Sequence, residues 1–309
     1  MLCSAVILLA SFQADAQNEA PKETRNAALR YWIAFADMQD PPTDETTRQL
    51  LEKTVSGDVP WDEAKLGGIV QQNVTAILEM RRATKLPECD WGLEYSLGPR
   101  ASVAFMMKLA CWARGDSQAA LKSWMTGVKF SQDLASGGTL VFVLVARAAL
   151  LSDLKAIKIS AEQGTLNSAA RREALLALNS LPATGFNWSS SWQLETHVIG
   201  VGWDSILKSP DPREMYKAIT GDELPASSHL PSPADFALFR KFMNEVAAAL
   251  RLPPEEALQK LSSLKEQEKT LNPMLQNSIP SFERVNSNRA EVQAVREAAL
   301  RALSAAPQK

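Results

Sequence analysis

A long apolar helix in the middle of the chain limits the folds that are open to it. Residues 139–162, TLVFVLVARAALLSDLKAIKISAE, are the most apolar stretch after the N-terminal 16 residues. The run 139–151 contains Arg147 and is only 13 residues long, whereas a membrane-spanning helix needs about 20 apolar residues. The segment therefore predicts a buried helix, and we expect the helical segments 99–115 and 116–136 to pack around it.

The rest of the chain repeats the helical pattern. Apolar residues recur at helical spacing in most segments, and no segment alternates apolar and polar residues as a half-buried strand does. Gly115-Asp116 and Gly137-Gly138 separate consecutive helices. We therefore predict an all-α fold in which antiparallel helical hairpins form a tetratricopeptide-like or α-solenoid-like array.

Two local patterns near the N-terminus give specific expectations. Residues 22–38 predict a helix with one apolar face, made of Leu29, Trp32, Ile33 and Ala36. Residues 60–82 predict another helix, which contains Gly67-Gly68. Glycine costs about 1 kcal/mol inside a helix, so this pair predicts a close crossing with a second helix.

The N-terminus has the layout of a signal peptide. Residues 2–12 form an apolar run too short to span a bilayer, and Ala14-Asp15-Ala16 matches an A-x-A cleavage site. We therefore expect the signal peptide to be removed and the mature protein to be exported to the periplasm or secreted. The expected divisions are the signal peptide at 1–16, a helical domain at 17–272 with a proline-rich loop at 209–233, and a C-terminal helix and tail at 273–309.

The charge balance narrows the class of partner. Lys and Arg together number 33 and Asp and Glu 35, which gives a net charge of −2. The basic residues do not cluster, so the chain has no basic surface of the kind that binds nucleic acid. No apolar run of the mature chain is long enough for a transmembrane span.

Two cysteines remain after removal of the signal peptide, Cys89 and Cys111. An exported chain reaches an oxidising compartment, in which such a pair can form a disulfide. Two separately buried thiols are the other interpretation.

Two charged residues fall on otherwise apolar helix faces. Arg147 lies within the apolar face of the central helix. Glu195 lies within a stripe of large apolar residues on a helix predicted over 187–208, formed by Trp188, Trp192, Ile199, Trp203 and Ile206. Because a charge on a buried face needs a partner, we expect one buried ion pair between Arg147 and Glu195.

This pair allows a structural and a functional interpretation. The structural one is that the pair fixes the register of the two helices without adding much stability. The functional one is a pocket walled by Trp188 and Trp192 and covered by the loop 209–233. In it, Arg147 would bind an anionic ligand or Glu195 would act as a general base.

Other chemistry has little support in the sequence. The chain has two histidines, His197 and His229, and His197 falls on the helix face opposite Glu195. The sequence contains no zinc-binding spacing and no nucleophile elbow, and Gly200-Val201-Gly202 follows no strand as a dinucleotide loop would. We therefore predict no metal, no cofactor and no catalytic residue.

Two resemblances bear on fold and compartment. Residues 109–128 resemble one tetratricopeptide-type hairpin, with its turn at Gly115-Asp116, a small residue at Ala120 and an aromatic residue at Trp124. Four segments spread over most of the chain are together similar to a family of uncharacterised, exported, all-helical bacterial proteins: CDWGLEYSLGP (89–99), ARGDSQAAL (113–121), LPPEEALQKL (252–261) and NPMLQNSIPSFERVNSNRAEVQA (272–294). This resemblance implies a helical fold and export, and it assigns no activity.

The function expected from these patterns is an exported helical scaffold. It would bind a protein or peptide partner in the cell envelope on the concave face of the array. The lack of a catalytic motif favours a module without enzymatic activity. The alternative is an envelope small-ligand binder or hydrolase with its pocket at Glu195 and Arg147.

Overall fold

The described part of the chain is all-helical, as the sequence predicts. The computed structural model describes residues 25–39, 42–56, 59–91, 117–224 and 229–305. Within these ranges there is no strand, and one isolated β-bridge joins Asn26 to Glu88. The predicted signal peptide, the predicted helix at 99–115, the first part of the tetratricopeptide-like hairpin (109–116) and Cys111 lie outside the described residues.

Four helices lie in the N-terminal part: α1 (Ala27–Asp37), α2 (Glu45–Ser56), α3 (Glu63–Gln72) and α4 (Val74–Ala83). The pair α1 and α4 packs side by side. Asn26 caps α1, because its Oδ1 accepts a hydrogen bond from the Ala28 N–H at 3.1 Å. The same oxygen accepts from the Asp90 N–H at 2.8 Å, so the segment after α4 is tied to the start of α1.

Several of the later helices begin at a capping side chain. Asn167, Asn187, Ser232 and Ser281 each accept a backbone hydrogen bond as N-caps. The described helices that follow α4 are α5 (Ser117–Ala135), α6 (Leu140–Glu162), α7 (Ser168–Ser180), α8 (Trp188–Lys208), α9 (Pro212–Thr220), α10 (Pro233–Ala249), α11 (Pro254–Glu268), α12 (Pro273–Asn277) and α13 (Phe282–Ser304).

The central helix α6 organises the core, as predicted. It packs along α5 and along α13, and it also contacts α8 and α2. Leu140, Val143, Leu150 and Leu154 are buried. Among the described helices, none combines the length and the apolarity that crossing a membrane requires.

The buried face of α1 is the opposite of the predicted one. Its exposed apolar residues are Leu29, Trp32 and Ile33, and its buried residues are Ala27, Ala28, Tyr31, Ala34 and Phe35. Tyr31 decides the orientation, because its Oη donates a hydrogen bond to the buried Asp133 Oδ2 of α5 at 2.7 Å. Apolar residues occupy both faces of α1, so spacing alone could not choose between them.

The helix predicted over 60–82 is two helices. It breaks at Asn73, whose side-chain amide donates to a backbone carbonyl of the preceding turn at 2.8 Å. No helix of the described residues crosses closely at the glycine pair. A Cβ added at Gly68 would meet no atom within 4 Å, and a Cβ added at Gly67 would meet only the side chain of Glu63.

The proline-rich stretch 209–233 contains a helix, α9, which the sequence analysis did not predict. Asp211 caps it by accepting hydrogen bonds from two backbone N–H groups of the first turn, at 3.0 and 3.1 Å. Pro212 occupies the first helical position, where a missing N–H costs nothing. Gly221, with φ of 81°, ends the helix. One of the prolines that predicted a loop thus starts a helix.

A buried arginine joins the ends of two helices. Arg171 of α7 donates from Nη1 to the Ala161 carbonyl at the end of α6, at 3.0 Å. Its Nε and Nη2 donate to carbonyls in the last turn of α13 at 2.6–3.0 Å, on Ala302, Leu303 and Ala305. The last carbonyls of a helix lack intrahelical partners and carry partial negative charge. One guanidinium therefore holds α6 and α13 to α7.

The turn between α7 and α8 is pressed into the core at Gly185. Its φ is 82°, a conformation that favours glycine. A Cβ added there would lie 2.6 Å from Val292 Cγ1 of α13 and 3.0 Å from Leu150 Cδ2 of α6. Its carbonyl accepts a hydrogen bond from Gln132 Nε2 at 3.0 Å. Both the backbone and the packing require glycine here.

Candidate functional site

The structure does not pair Arg147 with Glu195. The Arg147 guanidinium forms an ion pair with Glu291 of α13. Glu195 Oε2 accepts a hydrogen bond from the backbone N–H of Leu140 at 3.1 Å. Because Leu140 opens α6 and Arg147 follows seven residues later, the two positions are about 10 Å apart along the helix axis. The predicted ion pair is therefore not formed, and each charge has another partner.

Glu195 caps the start of α6 from a neighbouring helix. Thr139, the N-cap residue, makes no side-chain hydrogen bond to α6, and the carboxylate of Glu195 takes that role at the positive end of the helix dipole. Burial raises the pKa of Glu195, and the hydrogen bond from Leu140 lowers it in part. The position of this carboxylate is thus explained by helix capping.

We expect Glu195→Gln to change how stability depends on pH. Burial raises the pKa of the folded carboxyl above its usual 4.5, so above that pH the folded state binds more protons than the unfolded state. Stability then falls as pH rises through this window. Glutamine keeps an acceptor for Leu140 and cannot titrate. Urea unfolding at pH 4 and pH 7 should show the variant gaining stability relative to the native chain at the higher pH, whereas an equal difference at both would contradict this account.

The two tryptophans predicted as pocket walls belong to the core. Trp188 and Trp192 are both buried. Trp188 Nε1 donates to the Thr184 carbonyl at 2.9 Å, and Trp192 Nε1 donates to the Met243 carbonyl at 3.1 Å. Their indole N–H groups are therefore used within the fold, where they fix the start of α8 and its packing on α10.

Cys89 is half-buried beside α1. Burial, together with the nearby Asp133, raises the pKa of its thiol to about 12, so the thiol is protonated at neutral pH and is a poor nucleophile. Because Cys111 lies outside the described residues, a disulfide between the two stays a prediction.

The helices α8 and α10 run antiparallel and enclose an open groove. Near one end, Ser189 Oγ donates to the Ala247 carbonyl at 2.8 Å. Near the other end, the rings of Trp203 and Phe236 lie 6.4 Å apart. The α8/α10 groove that follows this seam has a volume of about 580 Å³ and is lined along α8 from Gln193 to Leu207. These 14 residue steps correspond to a length of about 20 Å.

The α8/α10 groove has an apolar floor and a polar rim. Phe236 and Phe239 lie at its floor. Among the described residues, no hydrogen-bond partner is found for the side chains of three rim residues, Gln193, Arg240 and Asn244. Gly200 faces open space, since a Cβ added there would meet no atom within 4 Å. Because glycine has no side chain, the wall formed by α8 is low at this point. The groove therefore offers apolar contact and free hydrogen-bonding groups along one line.

A second depression lies on the other side of α8. We call it the α8/α9 pocket. It has a volume of about 710 Å³ and is walled mainly by apolar side chains, among them Ile199, Trp203, Ile206, Tyr216 and Ile219. Val201, which is exposed, lines both depressions.

The polar side chains that α8 contributes to the α8/α10 groove include His197, Asp204 and Thr196. His197 and Asp204 are seven residues apart on α8, which places them about 10 Å apart along the helix axis. The Thr196 hydroxyl donates to the Trp192 carbonyl at 2.8 Å. Among the described residues, no group of three or more His, Cys, Asp or Glu side chains is placed to hold a metal ion.

Sequence reasoning missed this groove, although one signal pointed to it. Gly200 and Gly202 flank Val201 on the outer side of α8, and we considered them only as a dinucleotide loop. On a helix already anchored by tryptophans, two glycines leave a low outer surface. His197 was correctly assigned to the face opposite Glu195, and that face is the wall of the groove.

Comparisons with known proteins add nothing to this geometry. No protein-family model, no curated protein and no solved structure matches the chain. The function is therefore argued from the groove itself.

Proposed function

We propose that the protein is an exported helical module, without enzymatic activity, that binds a peptide segment of a protein partner in the cell envelope. The observation that carries this proposal is the shape of the α8/α10 groove. It is open along its length and about 20 Å long. An extended peptide rises about 3.3 Å per residue, so the groove matches a segment of about six residues.

The chemistry of the rim suits a peptide main chain. A peptide presents an N–H donor and a carbonyl acceptor at nearly every residue. The amides of Gln193 and Asn244 each supply both kinds of group, and Arg240 supplies donors for a carbonyl or a carboxylate. Phe236, which is partly buried, would contact an apolar side chain of the peptide, as in other modes of peptide recognition that combine main-chain hydrogen bonds with side-chain pockets.

Export and the solenoid-like arrangement belong to the same proposal. The apolar run and cleavage site at 1–16 support export to the periplasm or secretion. The antiparallel pair α8 and α10 and the packing of α5 on α6 support an array of helical hairpins. The alternative of a ligand binder or hydrolase around Glu195 and Arg147 has lost its support, because these side chains have separate partners.

Site-specific photocrosslinking tests the proposal. A benzophenone amino acid is placed at Gln193 and, in a second variant, at Asn244, on opposite walls of the groove. The matched control carries it at Leu176 on α7, where the side chain is 75% exposed and remote from the groove residues in sequence. After irradiation in an extract of the native host, we expect both groove variants to form an adduct with the same protein.

The chemistry of the rim gives a second readout. Arg240→Ala should lower the yield of that adduct by about tenfold, the effect of losing one hydrogen bond to a charged group. Adducts that form equally at Leu176, or groove variants that capture no common protein, would refute the peptide-binding function.

A further inference from the structure

We propose that the α8/α9 pocket binds a single-chain amphiphile with a cationic head group, such as an alkylammonium compound. This inference concerns a different side of α8 from the peptide groove and does not rest on the proposed function. A volume of about 710 Å³ lies within the range of small-molecule sites.

The walls of the pocket fit an alkyl chain. On one side, Trp203 and Ile206 of α8 are buried in the body of the protein. On the other side, α9 presents Tyr216 and Ile219, and the centres of the Trp203 and Tyr216 rings lie 5.8 Å apart. The pocket is therefore lined by both aromatic and aliphatic side chains.

Two apolar side chains at the pocket are left in solvent. Ile219 is 48% exposed and Val201 is 42% exposed. The helix α9 has its apolar residues on one side, yet none of its residues is fully buried. An apolar chain lying in the pocket would remove this surface from water, which is the main source of affinity in such sites.

The mouth of the pocket selects the charge of the head group. The hydroxyl groups of Ser278 and Thr220 are already used, since Ser278 Oγ accepts from Trp203 Nε1 at 3.1 Å and Thr220 Oγ1 donates to the Tyr216 carbonyl at 2.8 Å. Of the described residues that line the pocket, Asp222 carries the only ionised side chain. Nearby Lys217 is neutralised by an ion pair with Glu223 at 2.5 Å.

The charge that the described lining residues place at the pocket is therefore the negative charge of Asp222. A cationic head would be attracted by Asp222, whereas an anionic head on the same chain would be repelled. The apolar walls require a chain, and the lone carboxylate requires a positive charge at its end.

Three probes with a ten-carbon chain separate these requirements, namely decyltrimethylammonium, 1-decanol and decanoate. Each is titrated by calorimetry into the full chain, the two ions below their micelle concentrations and the alcohol below its solubility limit. We expect the cation to bind about tenfold more tightly than the anion, with the alcohol between them. Equal affinity for the cation and the anion, or binding of none of the three, would overturn the proposal.

Exposed variants assign the binding to this pocket. Asp222→Asn should reduce the preference for the cation over the anion to less than about threefold and leave the affinity for the alcohol unchanged. Ile219→Ser should weaken all three probes by about fivefold. Leu176→Ser, at a more exposed apolar position on α7, should change none. A preference that survives Asp222→Asn, or probes that respond to Leu176→Ser as they do to Ile219→Ser, would place the binding elsewhere.

Discussion

Replacing Arg171 by leucine is expected to destabilise the protein by about 3 kcal/mol. The guanidinium is buried and donates to four backbone carbonyls, two in α13, one on its C-cap residue Ala305 and one in α6. Leucine fills much of the space and removes these donors; the Ala161 carbonyl keeps a hydrogen bond from the Gly164 N–H at 3.3 Å. Urea denaturation followed by far-ultraviolet circular dichroism measures the loss as a shift of the midpoint.

Two further variants separate the role of Arg171 from that of any arginine on α7. Arg172→Leu changes the neighbouring, exposed residue and should alter stability by no more than about 0.5 kcal/mol. Arg171→Lys keeps the charge but lacks the forked set of donors, so its stability should fall between those of Arg171→Leu and the native chain. If Arg171→Leu were as stable as Arg172→Leu, the helix-end contacts would have no energetic importance.

Gly185→Ala is expected to cost about 3 kcal/mol. Two effects add at this position. The left-handed backbone, with φ of 82°, costs a residue with a side chain about 1–2 kcal/mol. The new Cβ would also lie 2.6 Å from Val292 Cγ1, and crowding of this kind in a core costs about 1–3 kcal/mol. Thermal and urea unfolding measure the sum.

Gly221→Ala is the matched control for Gly185→Ala. Its φ is 81°, and a Cβ added there would meet no atom within 4 Å. This variant should therefore show the backbone cost alone, about 1 kcal/mol. The difference between the two variants measures how tightly the turn at Gly185 is held between α6 and α13. Equal losses would mean that the turn relaxes without resistance.

The fold class followed from local patterns because those patterns were strong. Asn187 and the tryptophans after it define α8 by a cap and a consistent apolar stripe, and the structure agrees within one residue. The predicted buried face of α1 was wrong because apolar residues occupy both faces of this helix. The hydrogen bond from Tyr31 to Asp133 selects one face, and it joins residues 102 positions apart.

The candidate site was harder to predict for the same physical reason. A charge on an apolar face indicates a partner without naming it. Arg147 forms an ion pair with Glu291, 144 residues away. Glu195 accepts a hydrogen bond from a backbone N–H at the start of a helix. The α8/α10 groove exists because α8 and α10 lie side by side, and neither helix alone carries a motif for it. Pairings between distant helices decide these contacts, and local spacing does not encode them.

The contact between Arg171 and the end of α13 also has a consequence for the order of folding. The residues it joins are more than 130 positions apart, and α13 covers the central helix α6. During synthesis, α6 emerges well before the helix that shields it. The nascent chain must therefore keep one side of this apolar helix uncovered until α13 is made, which makes late closure and dependence on chaperones expected properties of its biogenesis.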